Sequence, residues 1–98
     1  MALRVVWSAP AQSQRRAILV YWRRRNGNVE YSRKLDMRFR RALRIITRNP
    51  RIGRPSSFEG VRMKTVGDYL IFYRIEEKVV IVAALWDNRQ DPQKLTVS

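Results

Sequence analysis

The sequence contains no cysteine and no histidine. Without cysteine there is no disulfide framework and no thiolate nucleophile. Without histidine there is no imidazole base, no Ser-His triad and no ordinary zinc site. Acidic residues are also scarce, 8 against 21 Lys and Arg, so a metal would have to sit on carboxylates alone. No metal and no cofactor are expected. No apolar run approaches membrane-spanning length, and the longest, Val79 to Trp86, has the length of a strand. Met1 to Val6 is too short for a signal peptide. A reducing cytoplasm, with no membrane partner, is the expected location.

What the chain does have is a core and a great deal of positive charge. Its 98 residues are 45% hydrophobic and 10% aromatic, enough for one domain spanning residues 1–98 and no more. The net charge is +13 and is unevenly placed. Residues 15–54 hold 14 of the 21 cations and only two acids, Glu30 and Asp36, a net of +12. Self-repulsion of this size opposes folding unless something offsets it. Such a face seeks a polyanion: nucleic acid, the ribosome, an anionic lipid or an acidic protein.

The pattern predicts β-α-α-β-β-β. Leu3 to Trp7 reads as a short strand. Ser8 is a candidate N-cap with Pro10 in the first helical turn. Ala11, Ile18, Tyr21 and Trp22 recur at helical spacing, and Asn26-Gly27 ends the helix through the left-handed conformation a C-cap needs. A second helix starts near Asn28 or Val29. Its apolar stripe is Leu35, Phe39, Ala42, Leu43 and Ile46, and Asn49-Pro50 stops it. The short link implies an antiparallel helical hairpin, whose outer face carries Arg33, Lys34, Arg40, Arg41, Arg44 and Arg48. A Pro/Gly/Ser-rich loop covers 50–60. Val61 to Val66, Tyr69 to Ile75 and Val79 to Trp86 then read as an antiparallel meander, joined at Gly67-Asp68 and Glu76-Glu77. The middle run is apolar on both faces, as suits a central strand covered by helices on one side. The fold class expected is α+β, with the hairpin packed on one face of a small antiparallel sheet that the first strand joins. The tail, Asp87 to Ser98, is polar.

With the elements in this order, six short motifs resemble the RelE/ParE toxin superfamily of type II toxin–antitoxin and plasmid-stabilisation systems. VVWSAPA at the end of the first strand, YWRRRN before the turn and Asn49-Pro50-Arg51-Ile52-Gly53-Arg54-Pro55 are similar to its opening, its helix-one ending and its NP-x-x-G-x-P loop. Val61-Arg62-Met63-Lys64 followed by Tyr69-Leu70-Ile71-Phe72-Tyr73 is similar to its double strand. Leu85-Trp86-Asp87-Asn88-Arg89-Gln90-Asp91-Pro92 is similar to its last strand and R-x-x-P element. The resemblance covers nearly the whole chain. It implies a growth-arresting toxin and a cognate antitoxin. The charge argues that this partner is acidic and folds on binding, with a helix or strand lying against the hairpin or along the sheet edge.

The superfamily has two functional classes. One resembles ribosome-dependent mRNA interferases, in which the RNA's own 2′-hydroxyl attacks the adjacent phosphate without a metal. That chemistry needs a base, an acid and cations for the transition state. Arg62 and Lys64 stand two apart on a strand and so share a face, which makes them the best candidates for phosphate clamps. Arg89, just past the last strand, is expected to reach the same end of the sheet, or else to pair with Asp87 or hold the tail. Tyr69, Tyr73 and Trp86 are candidates for stacking on a base; Tyr69 and Tyr73 share a strand face, where a core role is the commoner one, and for Trp86 edge packing is an equal alternative. This class also carries Arg where the chain has Leu70, and a Tyr or His near the C-terminus that QDPQKLTVS lacks. The second class resembles inhibitors of DNA gyrase, which need no catalytic set. There the basic hairpin, with Arg40, Arg41 and Arg44 as binding candidates, is the surface expected to engage gyrase or its DNA. A third reading is a non-toxic basic nucleic-acid-binding module.

Overall fold

The computed structural model describes residues 3–90, 95 and 97. Strand β1 (Arg4–Trp7) leads into helices α1 (Ala9–Asn26) and α2 (Glu30–Arg48). Four strands follow: β2 (Arg54–Pro55), β3 (Arg62–Val66), β4 (Tyr69–Glu76) and β5 (Val79–Asp87). They form one sheet in the order β1-β5-β4-β3-β2. The expected α+β arrangement is what forms, with the helical hairpin on one face of the sheet. β1 does join it, running parallel to β5, while the other pairings are antiparallel. The two-residue strand β2 was not expected, because a strand this short has no periodicity to read.

The local signals act as the sequence suggests. Ser8 caps α1, its Oγ accepting from the Ala11 N–H at 3.2 Å. Gly27 closes it at φ 70, donating its N–H to the Arg23 carbonyl at 3.0 Å. The side chain of Asn28 accepts from the Glu30 N–H at 3.1 Å, so an Asx turn opens α2 where Val29, its N-cap residue, offers no side-chain oxygen.

α2 is the core helix. Leu35, Phe39, Ala42, Leu43 and Ile46 are buried along it against Tyr69, Ile71 and Tyr73 of β4 and Val80, Val82 and Leu85 of β5. Burying each large side chain contributes about 1.5–3 kcal/mol relative to exposure. α1 lies more peripherally: Ala11 is its one buried residue, and Ile18, Leu19 and Trp22 are half-buried. The opposite face of the sheet holds a second core of Val61, Leu70, Phe72 and Ala84, covered by Phe58, Met63, Trp86, Leu95 and Val97. β4 is therefore apolar on both faces, as its sequence predicts. The tail, read as polar, contributes Leu95 and Val97 to this packing.

β1 reaches only as far as Val82 on β5. Beyond it the β5 backbone would be unpaired on that edge, at an energetic cost. Side chains of the first helix end fill the gap. Ser8 Oγ donates to the Ala83 carbonyl at 3.2 Å, and the Leu85 N–H donates to Gln14 Oε1 at 2.8 Å. Ala83 is the extra residue of a bulge opposite Phe72 and Tyr73, so Ser8 both caps α1 and fastens that bulge.

Candidate functional site

The register of β3 sets the orientation of the candidate clamps. Val66 is buried in the helix-side core, so the alternation puts Lys64 and Arg62 on the same side. Arg62 lies opposite Tyr73 and Lys64 opposite Ile71. The two cations share a face, as the sequence implies. Among the described residues neither forms an ion pair with a carboxylate.

Arg62 is engaged by backbone. Its Nη1 donates to the Gly53 carbonyl at 2.8 Å. Tyr73 completes the latch on this loop: its hydroxyl accepts from the Gly53 N–H at 2.9 Å and donates to the Pro50 carbonyl at 2.7 Å. Gly53 is the residue that lets the loop approach. A Cβ there would stand 2.5 Å from Tyr73 Oη and 2.9 Å from the Met63 carbonyl oxygen. Tyr73 is fully buried. Burial pushes its pKa up, partly offset by the Gly53 N–H and by Arg62. Pro50, Arg51, Gly60, Arg62, Tyr73 and Arg74 line a cleft of about 320 Å³ outside this latch, together with Ile75.

A second cluster sits at the other end of β4. Tyr69 pairs with Asp87, and Asp87 is gripped by Arg89 through Nε–Oδ1 and Nη2–Oδ2 at 3.0 and 2.8 Å, with the Arg89 N–H at 2.9 Å. Those Arg89 hydrogen bonds hold the Asp87 carboxyl below its usual range, against a smaller effect of burial, and they push the Arg89 guanidinium up. Tyr69 Oη accepts from Trp22 Nε1 at 2.7 Å, and its ring stands edge-on to Phe39 with centroids 5.6 Å apart. Burial raises the Tyr69 pKa, with Trp22 acting in the opposite sense. Ala17, Ile18, Tyr21, Tyr69, Asp87, Arg89 and Gln90 line a cavity of about 460 Å³ here.

Arg62 and Arg89 are thus not brought together. The four residues of β4 between Tyr69 and Tyr73 separate the two clusters by roughly 13 Å along the strand, so Arg89 lies at the opposite end of the sheet from Arg62, not the same end. Tyr69 and Tyr73 are 4% and 0% exposed, and a ring packed on both sides presents no face to a base. Trp86 packs in the second core, on the side of the sheet away from Arg62 and Lys64. Leu70 is buried there too.

The hairpin carries the remaining candidates. Arg40 pairs with Asp36 at 3.2 Å, while Arg15 holds the same carboxylate at 2.8 and 2.9 Å. The Arg15 guanidinium also lies 4.8 Å from the centre of the Trp7 ring. One acid therefore ties α1 to α2, with a cation–π contact to β1 beneath it. Arg41 and Arg44 are exposed, with no ion pair among the described residues. The Asp36 clasp, the Gly53 latch and the Trp22–Tyr69 bond were not anticipated. Each joins residues 20 to 47 positions apart, and only Asp36, an isolated acid in a basic stretch, gives a hint of it in the sequence. Among the described residues no cluster of three or more acids forms a metal site. No helix among them is long and apolar enough to cross a membrane.

Residues 5–92 match the family model for the ParE toxin of the type II toxin–antitoxin system parDE. No curated sequence relative matches. Among solved structures, the chain is similar to one from the chromosomal ParDE system of P. aeruginosa, with a TM-score of 0.74 and 20% identity over 86% of this chain and 94% of that one. It is also similar to one from the RelBE2 toxin–antitoxin complex of Mycobacterium tuberculosis, with a TM-score of 0.63 and 20% identity over 87% and 96%. At these identities the structural likeness is one of fold.

Proposed function

The chain belongs to the ParE toxin family of type II toxin–antitoxin systems, and on that premise we propose that it arrests bacterial growth by binding DNA gyrase. A cognate acidic antitoxin neutralises it, engaging the basic hairpin or the sheet edge. The net charge of +12 over residues 15–54 supports an acidic partner.

The observation that carries the gyrase reading is the state of the groups that RNA cleavage would need. Attack by a 2′-hydroxyl requires a base and an acid beside the phosphate-binding cations. The phenol opposite Arg62 is Tyr73, and it is buried with its hydroxyl both donating and accepting within the loop latch. Asp87 is locked by Arg89 at the far end of β4. Arg62, Lys64 and Arg89 do not converge on one phosphate. A protein that acts by binding needs none of these to be free. In this reading Arg62 shapes the loop, and Lys64, Arg40, Arg41 and Arg44 face gyrase or the DNA it holds.

The test is a supercoiling assay with purified gyrase and relaxed plasmid. The chain is expected to block supercoiling or to accumulate cleaved DNA, and added antitoxin is expected to reverse the effect. Full supercoiling in the presence of excess folded chain would contradict the reading.

A further inference from the structure

We propose that the outer face of α2 is a binding surface for the phosphate backbone of duplex DNA. The purpose of this surface rests on the gyrase reading: it holds the toxin on the DNA that gyrase engages.

Lys34, Arg38, Arg41, Arg44 and Arg48 are all exposed. Steps of four, three, three and four keep them on one flank of the helix, over about 21 Å at 1.5 Å per residue. None of the five has an ion pair among the described residues. α2 has two acids. Asp36 is held on the inner flank by Arg15 and Arg40, and Glu30 stands at the N-terminus, before the row begins. Arg51 and Arg54, also exposed, continue the positive charge past the helix end. An unpaired row of this kind gains by displacing the counterions of a regular polyanion.

The rest of the face discriminates between polyanions. A protein interface needs a cluster of apolar anchors. From Lys34 to Arg48 the exposed apolar residues are Met37 and Ile45, about 12 Å apart along the helix; Tyr31, before the row, stands edge-on to Trp22, and Ile52 lies beyond the helix end. Single-stranded nucleic acid is gripped by aromatic stacking platforms, and no exposed residue from Lys34 to Arg48 is aromatic. The face also carries no exposed Asn, Gln, Ser or Thr, so it contacts phosphates without reading sequence through amides or hydroxyls.

The experiment is fluorescence anisotropy of the full chain with a labelled duplex across a salt series, in the absence of gyrase. Five phosphate contacts predict a slope of log K against log salt of about −4 to −5, at roughly 0.9 per contact. The triple variant Arg38→Gln, Arg41→Gln, Arg44→Gln is expected to reduce this to about −2. A triple on α1, Arg16→Gln, Arg23→Gln, Arg24→Gln, removes the same charge from exposed positions off the row and is expected to leave the slope unchanged. Circular dichroism checks that each variant is folded. If the α2 triple does not fold, the single variants Arg41→Gln and Arg44→Gln are each expected to lower the slope by about one. Three results overturn the proposal: no duplex binding by the full chain, an equal loss in the α1 triple, or single-stranded RNA bound about tenfold tighter than duplex. Supercoiling is read separately. Normal supercoiling by gyrase in the presence of a chain that binds duplex in this way refutes the gyrase reading and leaves the DNA surface standing.

Discussion

Replacing Tyr73 by Phe removes one oxygen and leaves a ring of nearly the same shape. The ring's packing against α2 is kept, so the cost comes from hydrogen bonds alone. The Pro50 carbonyl loses its donor at 2.7 Å and the Gly53 N–H its acceptor at 2.9 Å. Both bonds lie at a fully buried side chain. Each buried backbone group left without a partner costs about 1–3 kcal/mol, so the expected loss is roughly 2–4 kcal/mol after relaxation. That is a large share of a stability of about 5–15 kcal/mol. In a chain of this size it lowers Tm by about 10–20 °C. Gly53→Ala attacks the same latch from the other side, since the new Cβ meets Tyr73 Oη at 2.5 Å and the Met63 carbonyl at 2.9 Å. The two changes should couple. With the hydroxyl gone, part of the alanine's clash is relieved, so the double variant loses less than the sum of the singles. Urea unfolding of the four proteins gives the cycle. A loss below about 1 kcal/mol for Tyr73→Phe, or strict additivity with Gly53→Ala, refutes the latch as drawn.

Other consequences follow from the same packing. Asp36→Ala leaves Arg15 beside Trp7 without its carboxylate and frees Arg40, and a loss of about 1–3 kcal/mol is expected by urea unfolding. A change within error would mean the clasp is only a surface pair. Gln14→Leu removes the acceptor for the Leu85 N–H, and that amide should exchange with solvent faster than its neighbours in β5. On acidification, Asp87 contributes in a known direction. Its folded pKa lies below the ordinary carboxylate value of 3.8, so its stabilising effect is present above about pH 4 and fades as pH falls through the folded value. Asp87→Asn should flatten that part of the acid-unfolding curve. Tyr69 and Tyr73 have folded values raised above 10.0, so their contribution is intact below pH 10.0 and is lost as pH rises through the raised values. A phenolate titration in the folded protein should show two tyrosines ionising later than the free side chain.

Secondary structure was legible wherever one local rule acted alone. Ser8, Gly27 and Pro50 punctuate the helices, and the stripe from Leu35 to Ile46 needs only helical spacing to be read as a core face. The apolar run from Tyr69 marks the centre of the sheet because both of its faces must be covered. Arg62 and Lys64 could be placed on one face because a strand alternates. The Asp87–Arg89 pair could be read from two neighbouring charges, but nothing local could place it at the Tyr69 end, since that follows from the β4–β5 register. Nor could spacing show that Tyr69 and Tyr73 are buried by α2, or that Leu95 and Val97 return to cover the second face. These depend on contacts between distant segments. The isolated acid Asp36 was visible, but its partner Arg15 lies 21 residues away and meets it only when the hairpin closes.

The central claim, that this member of the ParE toxin family acts on gyrase rather than on RNA, is tested most directly in cells. The chain is induced briefly without its antitoxin, reporter plasmid topology is followed, and cellular mRNA ends are mapped by primer extension in the same cultures. Growth arrest with relaxed or cleaved plasmid and intact mRNA is the predicted result. Growth arrest with cuts inside translated codons and normal supercoiling would contradict it, and would return Arg62, Lys64 and Arg89 to the centre of the mechanism.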